Sequence, residues 1–432
     1  MKLLDYILFL VSQALSELGD HLWGLGLRNY LFDNSPWTPA AGLAAVFLLQ
    51  AIPVFFFGPW LSSKIGGRWR SMALWADVAR MLITLSFAGV LFLARGNLGP
   101  TSLVFILLVT QLLLEFGSLV FQNCRNCLVP VLYPNPRDIP RAHLWANVAS
   151  LSAAGIVPLI FITVLGSQKQ IQTEWLIWAA IIDAISFGIS ALALFALRRS
   201  ARLKDAETQA ANESHSKSTF FSQFSTGFEI ARKYPAVARL LIYSFFYNIF
   251  LMGPFEIGHV TFLRRDLGLP PVALAVNLLL FLGGILIGTL AANSLWKSGN
   301  SQHLQRFSKS IFWDGMTFFP ICLFVFLKGK IPEPVFLSIL SALFLFHYAM
   351  VPFVKVSRLA GIQTQAEKSE WSALLGFHAV AVEGAAAISV IFVALVIPDI
   401  SGTLLLAIGG AGATLCGLLG MSVLSGSQNP KT

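Results

Sequence analysis

Thirteen ionisable side chains lie inside stretches of sequence that are otherwise apolar: Glu17, Asp20 and His21; Asp77 and Arg80; Glu115; Asp183; Glu256 and His259; Asp314; His347; and His378 and Glu383. Charge at membrane depth is costly unless it meets a partner or a cavity, so each is a candidate site residue. On a helix, Glu17, Asp20 and His21 at i, i+3 and i+4 project from one face, as do Glu256 and His259 at i and i+3. Carboxylates and imidazoles in a partly dry setting suit reversible proton binding. The same oxygen and nitrogen atoms are potential ligands for a divalent metal. No His-x-x-x-His fixes two ligands on one helix, so a metal site is not expected. Asp77 and Arg80, one turn apart, read as an ion pair, and Asp314 with Lys309 nearby reads the same way. His347 suits an interhelical hydrogen bond as well as a ligand contact, while His378 and Glu383, five residues apart, point to different faces.

Covalent chemistry has little support. The chain contains no His-Glu-x-x-His, Gly-x-Ser-x-Gly or Gly-x-x-x-x-Gly-Lys-Ser/Thr sequence, so neither an enzyme nor ATP-driven transport is expected, and no cofactor is implied. Cys124 and Cys127 form a single Cys-x-x-Cys, and Cys322 and Cys416 lie in apolar runs. Without a second pair to complete four ligands, all four read as packed thiols.

The elements that must carry these residues are membrane spans. Of 432 residues 56% are hydrophobic and only 12% charged, about half the charged share of a soluble domain. A hydrocarbon core of roughly 30 Å takes about 20 apolar residues per helix. Runs at 4–31, 40–62, 72–94, 101–123, 145–166 and 175–197 give six spans, and runs at 237–262, 271–296, 309–327, 335–356, 372–397 and 402–425 give six more. The first run continues past Glu17 and Asp20 to Phe32, longer than the apolar core of a signal peptide. An N-terminal half is expected over 1–198, a hydrophilic linker over 199–236, and a C-terminal half over 237–432. Within the linker, the 218–234 stretch carries Phe220, Phe221, Phe224 and Phe228 before Arg232 and Lys233. It reads as an amphipathic helix on the cytoplasmic surface. Aromatic runs such as Phe55-Phe56-Phe57 and Phe245-Phe246-Tyr247 read as lipid-facing or packing groups. Gly283, Gly284 and Gly288, and Gly409, Gly410 and Gly412, read as places of close helix approach. The two halves echo each other weakly: Arg70 precedes Asp77 by seven residues, and Arg306 precedes Asp314 by eight.

Gly58, Lys64, Gly66, Arg68 and Arg70, in the loop after span 2, resemble the first signature of the major facilitator superfamily, with Ser62 or Ser63 where that signature has an acid. Leu18-Gly19-Asp20 in span 1, Trp75 to Arg80 in span 3, the 121–130 stretch around Arg125, and the 227–240 stretch entering span 7 resemble its bacterial siderophore and macrolide exporter branch, enterobactin exporters included. Span 5 keeps only Gly155-Ile156-Val157-Pro158 of the antiporter signature. The Gly19 to Trp23 stretch also resembles the start of ferroportin-type metal exporters, and lysophospholipid flippases share the Gly-Asp.

The resemblance implies an all-α membrane protein of twelve transmembrane helices in two six-helix halves, with a cavity lined by spans 1, 4, 7 and 10. Glu17, Asp20, His21, Glu115, Glu256, His259 and His347 are then the substrate or coupling residues. Gly58, Lys64, Gly66, Arg68, Arg70, Asp77, Arg80 and Arg125 form a conformational motif. The implied function is proton-coupled efflux of a small amphipathic solute such as a siderophore or drug. The alternatives are lysophospholipid or divalent metal transport, or a non-transporting receptor or scaffold. The implied partners are the lipid bilayer, a small-molecule substrate and protons, with no nucleic acid, and the protein is expected to be a monomer of the bacterial cytoplasmic membrane.

Basic residues fix the expected orientation. Twenty-two lie at the termini and in the loops after even-numbered spans, against seven in the loops after odd-numbered spans. Both termini and the central linker are therefore expected on the cytoplasmic side, and the 168–174 and 328–333 loops outside. A single-cysteine labelling scan checks this; outward labelling of the linker would overturn it.

Overall fold

A computed structural model describes residues 3–64, 68–94, 98–132, 155–157, 159, 173–197, 220–295, 303–366, 370–396 and 399–426. All regular structure among them is helical. The helices are α1 (Leu3–Asn34), α2 (Pro39–Lys64), α3 (Trp69–Leu93), α4 (Pro100–Leu132), α5 (Thr173–Ala196), α6 (Phe220–Lys233), α7 (Pro235–Thr261), α8 (Val272–Leu295), α9 (His303–Met316), α10 (Phe318–Phe324), α11 (Glu333–Gln365), α12 (Trp371–Val396) and α13 (Gly402–Gly426). Prolines open α2, α4 and α7, where a missing N–H costs nothing.

Ten helical segments among the described residues are long and apolar enough to cross a bilayer. The 32-residue α1, about 48 Å at 1.5 Å per residue, is the first span expected from sequence, with Asp5, Glu17, Asp20 and Arg28 interrupting its apolar run. The expected fifth span, at 145–166, lies outside the described residues save for 155–157 and 159. The protein is an all-helical, multi-pass integral membrane protein. Large apolar side chains are exposed on its outer faces, among them Trp75, Phe92, Leu93, Phe105, Trp178 and Phe195 in one half and Leu290, Trp313, Phe326 and Leu395 in the other. Water would not tolerate such surface, whereas lipid solvates it. Phe56, Phe57 and Phe246 share this outward exposure.

The chain divides into two compact units, Met1–Phe220 and Phe221–Thr432. In the first, α5 packs on α1 and α3, and α4 packs on α2 and α3. In the second, α13 packs on α7 and α9, and α11 packs on α8 and α9. The weak echo of Arg70 and Asp77 in Arg306 and Asp314 thus corresponds to one packing scheme used twice. Small residues permit it: a Cβ on Gly288 of α8 would run into the Ala349 backbone of α11.

Where an amphipathic helix is expected over 218–234, α6 runs from Phe220 to Lys233. The Phe228 ring meets Phe377 edge-on at 6.0 Å, and Lys233 Nζ lies 2.9 Å from Glu370 Oε1. The Tyr234 hydroxyl donates to Glu370 Oε2 at 2.7 Å. That hydrogen bond, with the Lys233 ammonium beside it, holds the Glu370 carboxyl below its ordinary range. The end of α6 is thereby pinned to the start of α12.

Helix α7 runs on through a proline just before its ionisable residues. Pro254 has no N–H to give the Phe250 carbonyl one turn back. The Ser389 hydroxyl of α12 inserts there, accepting from the Gly253 N–H at 2.8 Å and donating to the Ile249 carbonyl. One hydroxyl thus satisfies two backbone groups that water cannot reach. Ser389→Ala leaves both groups to find other partners, and thermal unfolding in detergent is expected to show a loss of about 1–3 kcal/mol.

Candidate functional site

Asp77, Arg80 and Thr84 share the face of α3 that also carries the small residues Ala73 and Ala76, so neighbouring helices approach closely there. The Arg80 side chain is completely buried. Its Nη1 donates to Asp77 Oδ1 at 3.0 Å and to the Ser16 hydroxyl of α1 at 2.8 Å. Its Nη2 donates to Asp20 Oδ1, also on α1. The guanidinium carbon sits 3.9 Å from the centroid of the Phe187 ring of α5, with Phe121 of α4 at 5.9 Å. Asp77 is equally buried and equally engaged: Ser16 donates to its Oδ1 at 3.3 Å, and Ser190 of α5 donates to its Oδ2. Four helices therefore converge on one cation, which ion pairs, hydroxyls and aromatic faces compensate for the loss of water.

The expected pairing of Asp77 with Arg80 is present. Asp20, an expected coupling residue, bonds Arg80 as well, because α1 crosses α3 at that level. Glu17, one turn earlier, pairs with Arg125 of α4 at 2.5 Å, each about one-fifth exposed. His21 follows half-buried on α1. Glu115 of α4 is half-buried and accepts from Gln111 Nε2 at 2.5 Å, and Gln111 Oε1 accepts from Trp23 Nε1 of α1 at 2.6 Å. Arg70 caps α5, donating to the Leu194 and Phe195 carbonyls at 2.9 and 2.7 Å. Arg68 is exposed at the start of α3. Gly58 and Lys64 lie on α2 with side-chain surroundings outside the described residues, and Gly66 is itself outside them.

The second unit gathers a different set. Asp314 of α9 is buried and accepts from the Tyr247 hydroxyl of α7 at 2.6 Å. Its other neighbour is His347 of α11, with Nδ1 at 3.5 Å. Lys309, the partner suggested by sequence, is exposed. The His347 Nδ1 also lies 2.8 Å from the hydroxyl of Thr317, where α9 gives way to α10. His259 stacks on Phe255 at 5.4 Å with 8° between the rings, and it meets Phe344 edge-on. Glu256 and His259 are both half-buried near the end of α7. Ser16, Ser190, Phe187 and Thr317 were not singled out by sequence, and Tyr247, expected only as a lipid-facing or packing group, bonds Asp314. Only Ser16 offered a signal, standing four residues before Asp20 on the same helical face.

A groove of about 550 Å³ between α2, α3 and α4 is lined by apolar groups, among them Phe57, Trp75, Phe116 and Val120. It lies on the outward face with the exposed aromatics and offers a polar solute nothing to bind.

No family sequence model matches the chain, and no curated protein aligns with it. Solved structures do match along its whole length. The inward-facing crystal structure of a bacterial homologue of the iron transporter ferroportin aligns with a TM-score of 0.70 at 14% identity, covering 98% of this chain and 99% of that one. The nucleoside transporter NupG aligns at 0.69 and 14%, covering 96% and 99%. The peptide transporter POT aligns at 0.68 and 14%, covering 96% and 94%. The chain has the major facilitator fold. Neighbours named for iron, nucleosides and peptides share this backbone, so the fold itself does not choose a cargo. In a chain of this fold, the chemistry has to be read from the clusters around Arg80 and Asp314.

The Arg80 cluster yields a stability test. Arg80→Met leaves the Asp77 carboxylate buried without its counter-charge, and a loss of about 3–5 kcal/mol is expected in thermal unfolding. Adding Asp77→Asn should restore part of it, because removing both partners costs less than removing one. Equal stability of the single and double variants would contradict the ion pairing.

Proposed function

We infer that the chain is a secondary transporter of a bacterial cytoplasmic membrane. In this reading it exports a small amphipathic solute, a siderophore or drug-like metabolite, in exchange for protons. Asp20 and Glu256 act as the coupling acids, tuned by Glu17, His21 and His259, and both termini are cytoplasmic. The observation that carries the reading is the asymmetry of one ion pair. The Asp20 side chain is 34% exposed, while the Arg80 that holds it is 0% exposed. An acid at that boundary can meet a proton or a solute on one side and a buried cation on the other, so its protonation changes what holds α1 to α3. Glu256, two residues beyond Pro254 on α7, supplies the acid of the second half. Export as the direction, and an amphipathic cargo, follow from the resemblance to siderophore and macrolide exporters.

The likeness to a ferroportin homologue suits a divalent metal as cargo. Among the described residues, however, no three His, Cys, Asp or Glu side chains are grouped to hold a metal ion, which favours an organic solute. A lysophospholipid cargo rests on Gly19-Asp20 alone.

The test is vesicle uptake of a radiolabelled compound panel with and without an imposed gradient. At one proton per solute, a gradient of about one pH unit supports at most about tenfold accumulation. Asp20→Asn keeps size and hydrogen bonding and is expected to retain counterflow exchange while that accumulation falls to the equilibrium level. Unchanged gradient-driven accumulation in the variant would remove Asp20 from the coupling role.

A further inference from the structure

The Arg80 cluster contains one acid that the ion pairs do not use. Asp183 of α5 is completely buried, and among the described residues neither of its carboxyl oxygens has a hydrogen-bond partner. Its own helix offers it nothing: the Ser186 hydroxyl donates to the Asp183 backbone carbonyl at 2.7 Å, and the Ser190 hydroxyl is committed to Asp77. From α1 it meets Gly19, where a Cβ would overlap Asp183 Oδ1, so the α1 backbone lies directly against the carboxyl. The charged groups that face it are Asp20 from α1 and Asp77 and Arg80 from α3. Glu115 of α4 faces the same Asp20 and Arg80, and Glu17 is occupied by Arg125.

Three aspartates thus surround one guanidinium, and two of them already bond it. A third negative charge, dry and without a donor, has nothing to offset its desolvation. Acids crowded in this way share fewer charges than carboxyl groups. We propose that Asp183 is a proton-binding site, neutral for as long as Asp20 holds Arg80.

The two acids then exchange roles. When Asp20 turns from Arg80 toward the solvent that its side chain already meets, the guanidinium loses a counter-charge. The Asp183 O–H bond breaks, its proton leaves by way of the vacated Asp20 carboxylate, and the Asp183 carboxylate replaces Asp20 as counter-ion. The reverse sequence reloads it. A proton fits this site better than a metal ion, since no three metal-ligating side chains are grouped among the described residues. Use of this proton in transport rests on the proton-coupled reading above; its presence on Asp183 does not.

Infrared spectra of the purified full chain in detergent, with carboxyl-labelled aspartate, test occupancy directly. At neutral pH the wild-type protein is expected to show a protonated-carboxyl stretch that Asp183→Asn and, independently, Asp183→Ser abolish. The same band is expected to disappear in Asp20→Asn, where Arg80 has a counter-charge to recruit. Asp183→Asn, which keeps the shape of the neutral acid, is expected to unfold at the wild-type temperature. Absence of the band, its persistence in Asp20→Asn, or a lowered unfolding temperature for Asp183→Asn would each overturn the proposal. Thermal stabilisation by calcium or manganese in the wild type but not in Asp183→Asn would also overturn it, assigning the site to a metal ion. Gradient-driven transport that survives Asp20→Asn would sink the coupling reading without touching these spectra, so the two failures are told apart.

Discussion

A guanidinium that no water reaches sets the terms for the N-terminal half. Arg80 cannot lose its charge, so the fold must bring counter-charge to it. Asp77 arrives from the same helix one turn away, but Asp20 and Ser16 come from α1, Ser190 and Phe187 from α5, and Phe121 from α4. Three helices are thereby tied by hydrogen bonds, and α4 adds an aromatic face. In lipid, where apolar contact between helices gains little over contact with acyl chains, polar bonds of this kind do much of the specifying. The cluster is also unevenly dry, since only Asp20 reaches solvent, and any change that α1 makes relative to α3 is felt first at that bond.

The spans were legible because bilayer thickness imposes a period that apolar runs must meet. Apart from the fifth, which lies outside the described residues save for 155–157 and 159, every expected run is occupied by helix, though α4 and α11 run on well past the expected ends and the 309–327 run is divided between α9 and α10. Contacts along one helix were legible for the same reason, as with Asp77 and Arg80 at i and i+3. Partners across helices were not. Nothing in one sequence says that α1 crosses α3 at the level of Asp20 and Arg80. Lys309 was a poor guide to Asp314 on similar grounds: five residues along a helix turns its long side chain outward, while Tyr247, 67 residues away, reaches the carboxylate. Hydroxyls were the least legible. Ser190 and Ser389 are ordinary in a membrane helix until the structure shows one bonding a buried acid and the other bonding two backbone groups beside a proline.

The two halves repeat their packing without repeating their charges. In each, the third helix carries a buried acid, Asp77 or Asp314, and the first helix sends it a hydroxyl, Ser16 or Tyr247. Three residues on, the first half has Arg80 and the second has Thr317, whose hydroxyl meets a ring nitrogen of His347. A guanidinium is a permanent cation, so a carboxylate must stand beside it for as long as it stays buried. An imidazole is a cation only when it holds a proton, and among the described residues Asp314 has no Lys or Arg ion pair. One architectural position therefore holds a permanent cation in one half and a hydroxyl that meets an imidazole in the other. Inherited packing keeps the helices in register, and the residue three places after each acid decides which kind of electrostatics that packing encloses.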